Sequence, residues 1–226
     1  MSRPLTSEQV VAAGVALLDE KGPTGLTMRE LATRLGTFPS TVYWHVGDKN
    51  ELMTAIVSAV LGEVTLPDPS SLRWDEWLRA VASEYRAAMH RHPHIAAVVS
   101  SQLTVSVLSL QLTEAILSVL AGAGFHGAGL ADAYNSLVGS VVGWVSVELS
   151  ANPAADDDWR AEFQDALSSL PSDVSPTIAA NLDVLADQAF VLRWHSGAER
   201  PMDQAFDAAL DVWIAGLTAL GDIQED

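Results

Sequence analysis

The chain has no cysteine, and only two of its 226 residues are lysine, Lys21 and Lys49. The first absence excludes disulfides, thiolate metal sites and cysteine nucleophiles. Bases are scarce altogether: 12 Lys and Arg stand against 29 Asp and Glu, a formal net charge of −17. Taken whole, so acidic a chain repels polyanions. Long apolar runs are missing too. The longest apolar-looking stretch, residues 136–149, is broken by Gly139, Ser140, Gly143, Ser146 and Glu148. A membrane span needs roughly 20 apolar residues. The opening MSRPLTSEQ carries no apolar leader, so the expectation is a soluble cytoplasmic protein without a membrane partner. Strand signals and internal repeats are lacking, which leaves an all-α chain. There is no HExxH, no Gly-rich phosphate loop and no Ser-His-Asp spacing, so no enzyme activity and no cofactor are expected.

What is present is unevenly distributed. Residues 1–50 hold five bases (Arg3, Lys21, Arg29, Arg34, Lys49) and five acids (Glu8, Asp19, Glu20, Glu30, Asp48). Subtracting these from 12 and 29 leaves seven bases and 24 acids beyond residue 50, so the whole negative charge lies there. Two functional regions follow, a neutral head (1–50) and an acidic body (51–226), and only the head tolerates a polyanion.

The head is sharply punctuated. Thr6 with Gln9, and Thr27 with Glu30, have the spacing of capping boxes, each preceded by a leucine placed to staple. Gly22 and Pro23 stop the first helix, and Gly36 ends the second. A third helix fits Pro39–Val46, and Asp48 caps a fourth. Three short helices with a tight Gly-containing turn form the helix-turn-helix pattern. In the third, Val42 and Val46 point inward and Trp44 is expected to pack under the fourth helix. Ser40, Thr41, Tyr43 and His45 are left to hydrogen-bond phosphates or base edges. Lys49 at the start of the fourth helix can meet a phosphate, and Arg29 is the one nearby guanidinium able to read a guanine bidentately. The body reads as helices at 73–91, 105–122, 128–150, about 177–194 and 202–220, with an acidic connector at 151–176.

LTMRELATRLG at 26–36 followed by STVYWHVGDKNELM at 40–53 resembles the DNA-binding signature of the TetR-type transcriptional repressors. The resemblance is strong over about the first 60 residues. It implies phosphate contacts for Thr41, Tyr43, His45 and Lys49, and base contacts for Arg29 and Ser40. One departure is Phe38, where many relatives have a polar capping residue. The implied function is a ligand-responsive repressor that binds a palindromic operator as a homodimer and is released by a small-molecule inducer. The alternative is a helical small-molecule-binding or interaction protein whose head no longer recognises specific DNA.

The body then serves dimerisation and ligand binding. Gly139 and Gly143 mark the helix at 128–150 as one interface helix, and 202–220, with a seam of Phe206, Leu210, Trp213, Leu217 and Leu220, as the second. The remaining helices enclose a pocket, as the resemblance implies. Trp77, Tyr85, Met89, Gln102, Gln111, Asn135 and Trp144 are its candidate ligand residues, apolar surface with a few polar groups. The histidines that hold a metal-chelated drug in tetracycline-binding members fall on Val99 and Thr65, so tetracycline itself loses its anchor. His90, His92 and His94 flank Pro93, which ends the helix before a metal site forms; exposed or capping imidazoles are expected there.

Overall fold

The computed structural model describes residues 4–101, 107–150, 161, 162, 165, 166, 169, 175–186, 188–192 and 202–223. Among them every regular element is helical, in the order α1 (Ser7–Gly25), α2 (Met28–Arg34), α3 (Pro39–Val46), α4 (Lys49–Leu61), α5 (Trp74–Arg91), α6 (Pro93–Ser101), α7 (Val107–Gly122), α8 (Gly127–Glu148), α9 (Pro176–Leu185), a 3-10 turn at Phe190–Leu192, and α10 (Asp203–Ile223). The stretch 151–174, apart from five residues, lies outside the described set, as does Gln102.

The head folds from its caps. The Thr6 hydroxyl accepts from the Gln9 amide at 3.2 Å, and the Gln9 side chain accepts from the Thr6 amide at 3.0 Å. Thr27 accepts from the Glu30 amide at 3.1 Å. Asp48 accepts from the amides of Asn50 and Glu51 while Glu51 returns the bond. Gly47 before it has φ 68°, and a Cβ there would stand 1.7 Å from the Glu51 carboxylate. Only glycine permits this cap. Gly22 breaks α1 with φ 67° and ψ −178°, just ahead of Pro23. Val10, Leu17, Leu18, Leu26, Leu31, Val42, Leu52 and Ile56 are fully buried between α1, α2, α3 and α4.

Gly14 lets α1 and α4 close on each other: a Cβ added there would lie 2.8 Å from Ile56 Cδ1. Gly14→Val is expected to cost about 1–3 kcal/mol by overpacking, read as a lower thermal midpoint.

Sequence reasoning missed α6. Pro93 ends α5, as the sequence predicts, but it also occupies the first position of the next helix, where a missing N–H costs nothing. Of the histidines around it, His94 is exposed and His92 is the C-cap residue of α5, as expected, while His90 and His92 are half-buried and paired with carboxylates. His90 Nε2 lies 2.9 Å from Glu148. His92 bridges Asp19 of α1 at 2.7 Å and Glu63 beyond α4 at 3.2 Å, and Arg91 also reaches Glu63 at 2.9 Å. The turn between α5 and α6 therefore clamps the head to the body.

Most of the expected seam on α10 is spent within the subunit, Leu220 excepted. Phe206, Leu210 and Leu217 are buried, and Trp213 and Phe206 pack edge-on around Trp144 of α8 at 5.9 and 6.1 Å. The stripe left outward on α10 includes Val212 and Leu220, and on α8 Gly139, Gly143 and Val147. Between α5, α8 and α10 sits an ionic knot. Arg86 donates to Glu148 at 2.6–3.2 Å and to Asp203 at 2.6 Å, with its guanidinium 4.9 Å from the Phe206 ring centroid.

Candidate DNA-binding face and ligand cavity

Helix α3 presents its polar groups because only one of its eight residues, Val42, is fully buried. Ser40 and Tyr43 are exposed, and Thr41 and His45 half-buried. Arg29 on α2 and Lys49 at the start of α4 are exposed beside it. The His45 carbonyl accepts from Ser7 Oγ at 3.0 Å, which ties α3 to the start of α1.

Trp44 is a correction. It does not pack under α4; it is 80% exposed, with its ring 4.6 Å from that of His45. The reason is geometric: Trp44 is two residues, roughly 200° of helix rotation, from Val42. It is four residues from Ser40 and shares that outward face. Phe38, which caps α3 without a side-chain hydrogen bond, is 76% exposed.

The head's charges divide cleanly. Lys21 pairs with Glu30, and Arg34 with Glu20; the Arg34 hydrogen bond and charge hold the Glu20 carboxyl below its ordinary range. Arg29 and Lys49 make no ion pair among the described residues. Among the head's described bases, the two that are not neutralised are thus the two that stand beside α3.

A cavity of about 280 Å³ opens in the body. Val57 and Leu61 of α4, Tyr85 of α5, Val99 of α6, Thr113 and Ile116 of α7, and Tyr134 and Val141 of α8 are among its lining residues. Thr113 and Tyr134 join hydroxyls at 3.0 Å. Tyr85 is 6% exposed, its hydroxyl has no hydrogen-bond partner among the described residues, and burial pushes its pKa up.

Of the sequence candidates, Tyr85 lines this cavity. Trp77 and Met89 lie in the core, Trp77 donating to the Pro67 carbonyl at 2.8 Å. Gln111 and Asn135 are exposed, and Trp144 stacks with Phe190 at 4.5 Å. Thr65 is exposed in the loop after α4. The wall residues that sequence reasoning missed are alkyl groups on amphipathic helices, with no signal that separates them from ordinary core.

Two family descriptions match: "Bacterial regulatory proteins, tetR family" over residues 10–56 and "Tetracyclin repressor-like, C-terminal domain" over residues 66–220. An HTH-type transcriptional regulator of Saccharopolyspora erythraea is 33% identical over 177 residues, 78% of this chain and 75% of that protein. The class A tetracycline repressor protein from transposon 1721 of Escherichia coli is 28% identical, over 94% of this chain and 90% of its own. Among solved structures, ActR of Streptomyces coelicolor in complex with actinorhodin superposes with a TM-score of 0.75 at 27% identity, covering 97% and 99% of the two chains. BioQ with its double-stranded DNA operator does so with a TM-score of 0.60 at 29% identity, covering 66% and 90%. With capped head, outward α3 and matched body, the chain belongs to the TetR family of bacterial regulatory proteins.

Proposed function

We propose that the protein represses transcription as a homodimer on a palindromic operator and lets go when a small molecule enters the body cavity. The head, residues 1–50, would place α3 in the major groove, with Arg29 and Ser40 at base edges and Thr41, Tyr43, His45 and Lys49 on phosphates. Trp44 joins that face. Two copies would pair through α8 and α10, where Gly139 and Gly143 leave room for a close approach: among the described residues nothing lies within 4 Å of a Cβ added at either. As a DNA regulator it would act in the cytoplasm, and among the described residues no helix is long and apolar enough to cross a membrane. The reading assigns no catalytic role to any residue.

One observation carries the ligand response. Helix α4 begins at Lys49 and contributes Val57 and Leu61 to the cavity wall. Lys49 and Val57 are eight residues apart, about 12 Å along one rigid helix. A ligand seated against Val57 and Leu61 biases α4, and with it the separation of the two heads, toward a state that misses two successive grooves. Mobility shifts on duplex DNA from upstream of the coding frame test this. A dimer-sized complex is expected at low salt, weakening steeply as salt rises; a flat salt response would sink the phosphate assignments.

A further inference from the structure

The described wall of the cavity carries no charge. The chain has 12 bases and 29 acids, yet no ionised side chain is among the described residues that line the cavity. Its polar members are the hydroxyls of Tyr85, Ser109, Thr113 and Tyr134. An ion brought against such a wall sheds its hydration without a counter-charge. Thr113 and Tyr134 already satisfy each other, whereas the Tyr85 hydroxyl is buried and, among the described residues, without a partner. A buried O–H without an acceptor is a standing cost that a suitable ligand removes. Burial holds its proton in place, so it acts as a donor across physiological pH.

We propose that the cavity takes an uncharged, predominantly apolar molecule carrying one hydrogen-bond acceptor, a carbonyl or ether oxygen, that receives the Tyr85 O–H. The volume, about 280 Å³, sits at the small end of ligand sites. The inference rests on the reading of this cavity as the inducer site.

Calorimetric titration of the full-length dimer with four matched probes tests it. These are benzophenone, diphenylmethane, which lacks the acceptor, 4-benzoylbenzoate, and a benzophenone bearing a trimethylammonium group. Benzophenone is expected to bind tightest and both ions at least tenfold more weakly. Tyr85→Phe is expected to weaken benzophenone about fivefold and leave diphenylmethane unchanged. Either ion binding as tightly as the ketone, an equal loss for ketone and hydrocarbon, or no heat from any probe with a folded protein overturns the proposal. Operator release is measured on the same samples. Selective, Tyr85-dependent binding without release keeps the ligand class and overturns the regulatory reading instead.

A separate observation concerns Phe38. It stands at the entry to α3, forgoes the side-chain cap that a Ser or Asp would supply, and exposes 76% of its surface. Residues at the start of a recognition helix meet base edges, and the apolar feature of the major groove is the thymine methyl. We infer that Phe38 packs on a thymine 5-methyl in each half-site, which extends the helix-turn-helix reading by one specificity-determining residue.

An operator selected from random duplexes, then remade with deoxyuridine at single thymines, isolates that methyl. One position per half-site is expected to cost the native protein about fourfold in affinity. In Phe38→Ala the deoxyuridine penalty should vanish, and in Phe38→Leu it should partly persist. A penalty unchanged in Phe38→Ala, or none at any thymine, overturns the assignment. Selection that yields no operator overturns it together with the DNA-binding reading.

Discussion

Arg86→Met is expected to lower the unfolding free energy by about 3–5 kcal/mol, the usual cost of stranding one half of a buried ion pair. Glu148 is 1% exposed and takes three hydrogen bonds from Arg86 and one from His90. Without the guanidinium, its buried carboxylate loses three of those hydrogen bonds, and α5 loses its link to Asp203 of α10. For a chain of this length the loss corresponds to roughly 6–20 °C in thermal midpoint. Circular dichroism melts of the variant and of Arg86→Met/Glu148→Leu check it. The double variant should recover most of the loss, because the unpaired charge is then gone.

The same knot sets an acid limit. Burial alone would push the Glu148 carboxyl up, but the hydrogen bonds and charges of His90 and Arg86 outweigh it and hold the pKa below the ordinary 4.5. A carboxyl with a depressed folded pKa stabilises the fold fully above its unfolded value. That stability is lost as the pH falls through the folded one. Stability from Glu148 should therefore hold above about pH 4.5 and decline below it. Glu148→Gln should flatten that limb of a stability-versus-pH curve.

The second large effect is expected on the operator. A symmetric dimer uses each side chain twice, so a bidentate arginine worth about 1–3 kcal/mol per half-site counts double. Arg29→Ala should then weaken specific binding by roughly 30-fold to 10⁴-fold and relax base preference at one position per half-site. Lys49→Ala should act differently. It should weaken binding to all sequences alike and reduce the slope of log affinity against log salt by about 1.8, two phosphate contacts' worth. Tyr43→Ala is expected to abolish specific binding while sedimentation still reports a folded dimer. Fluorescence anisotropy across a salt series separates the three, and identical salt slopes for wild type and Lys49→Ala would falsify the phosphate role.

Local chemistry made the head legible. Thr6 with Gln9 and Asp48 with its following turn act within four residues of themselves, so the helix starts could be read directly. Trp44 was misread because aromatic rings were equated with core, although its angular distance from Val42 already placed it outside. Pro93 was misread because one residue can both end a helix and begin another. The ligand site was largely hidden for a different reason. Gln111 and Asn135 were chosen for polarity, and polar groups on amphipathic helices face water, as these do. The wall is built mostly from alkyl groups, with four hydroxyl side chains, of five helices brought together only by folding. Tyr85 was visible because a tyrosine on an apolar stripe must bury a hydroxyl.

The sparing use of positive charge in the head has a kinetic meaning. Of the head's four bases among the described residues, two are cancelled by Glu20 and Glu30, so the remaining pair, Arg29 and Lys49, would offer a duplex about four free cations per dimer, a salt slope near −4 from those groups. Such a repressor grips arbitrary DNA weakly and samples the chromosome by brief hops rather than long slides. Little of it is parked on decoy sequence, so the unbound pool follows the inducer promptly, and a gene under its control switches with little lag.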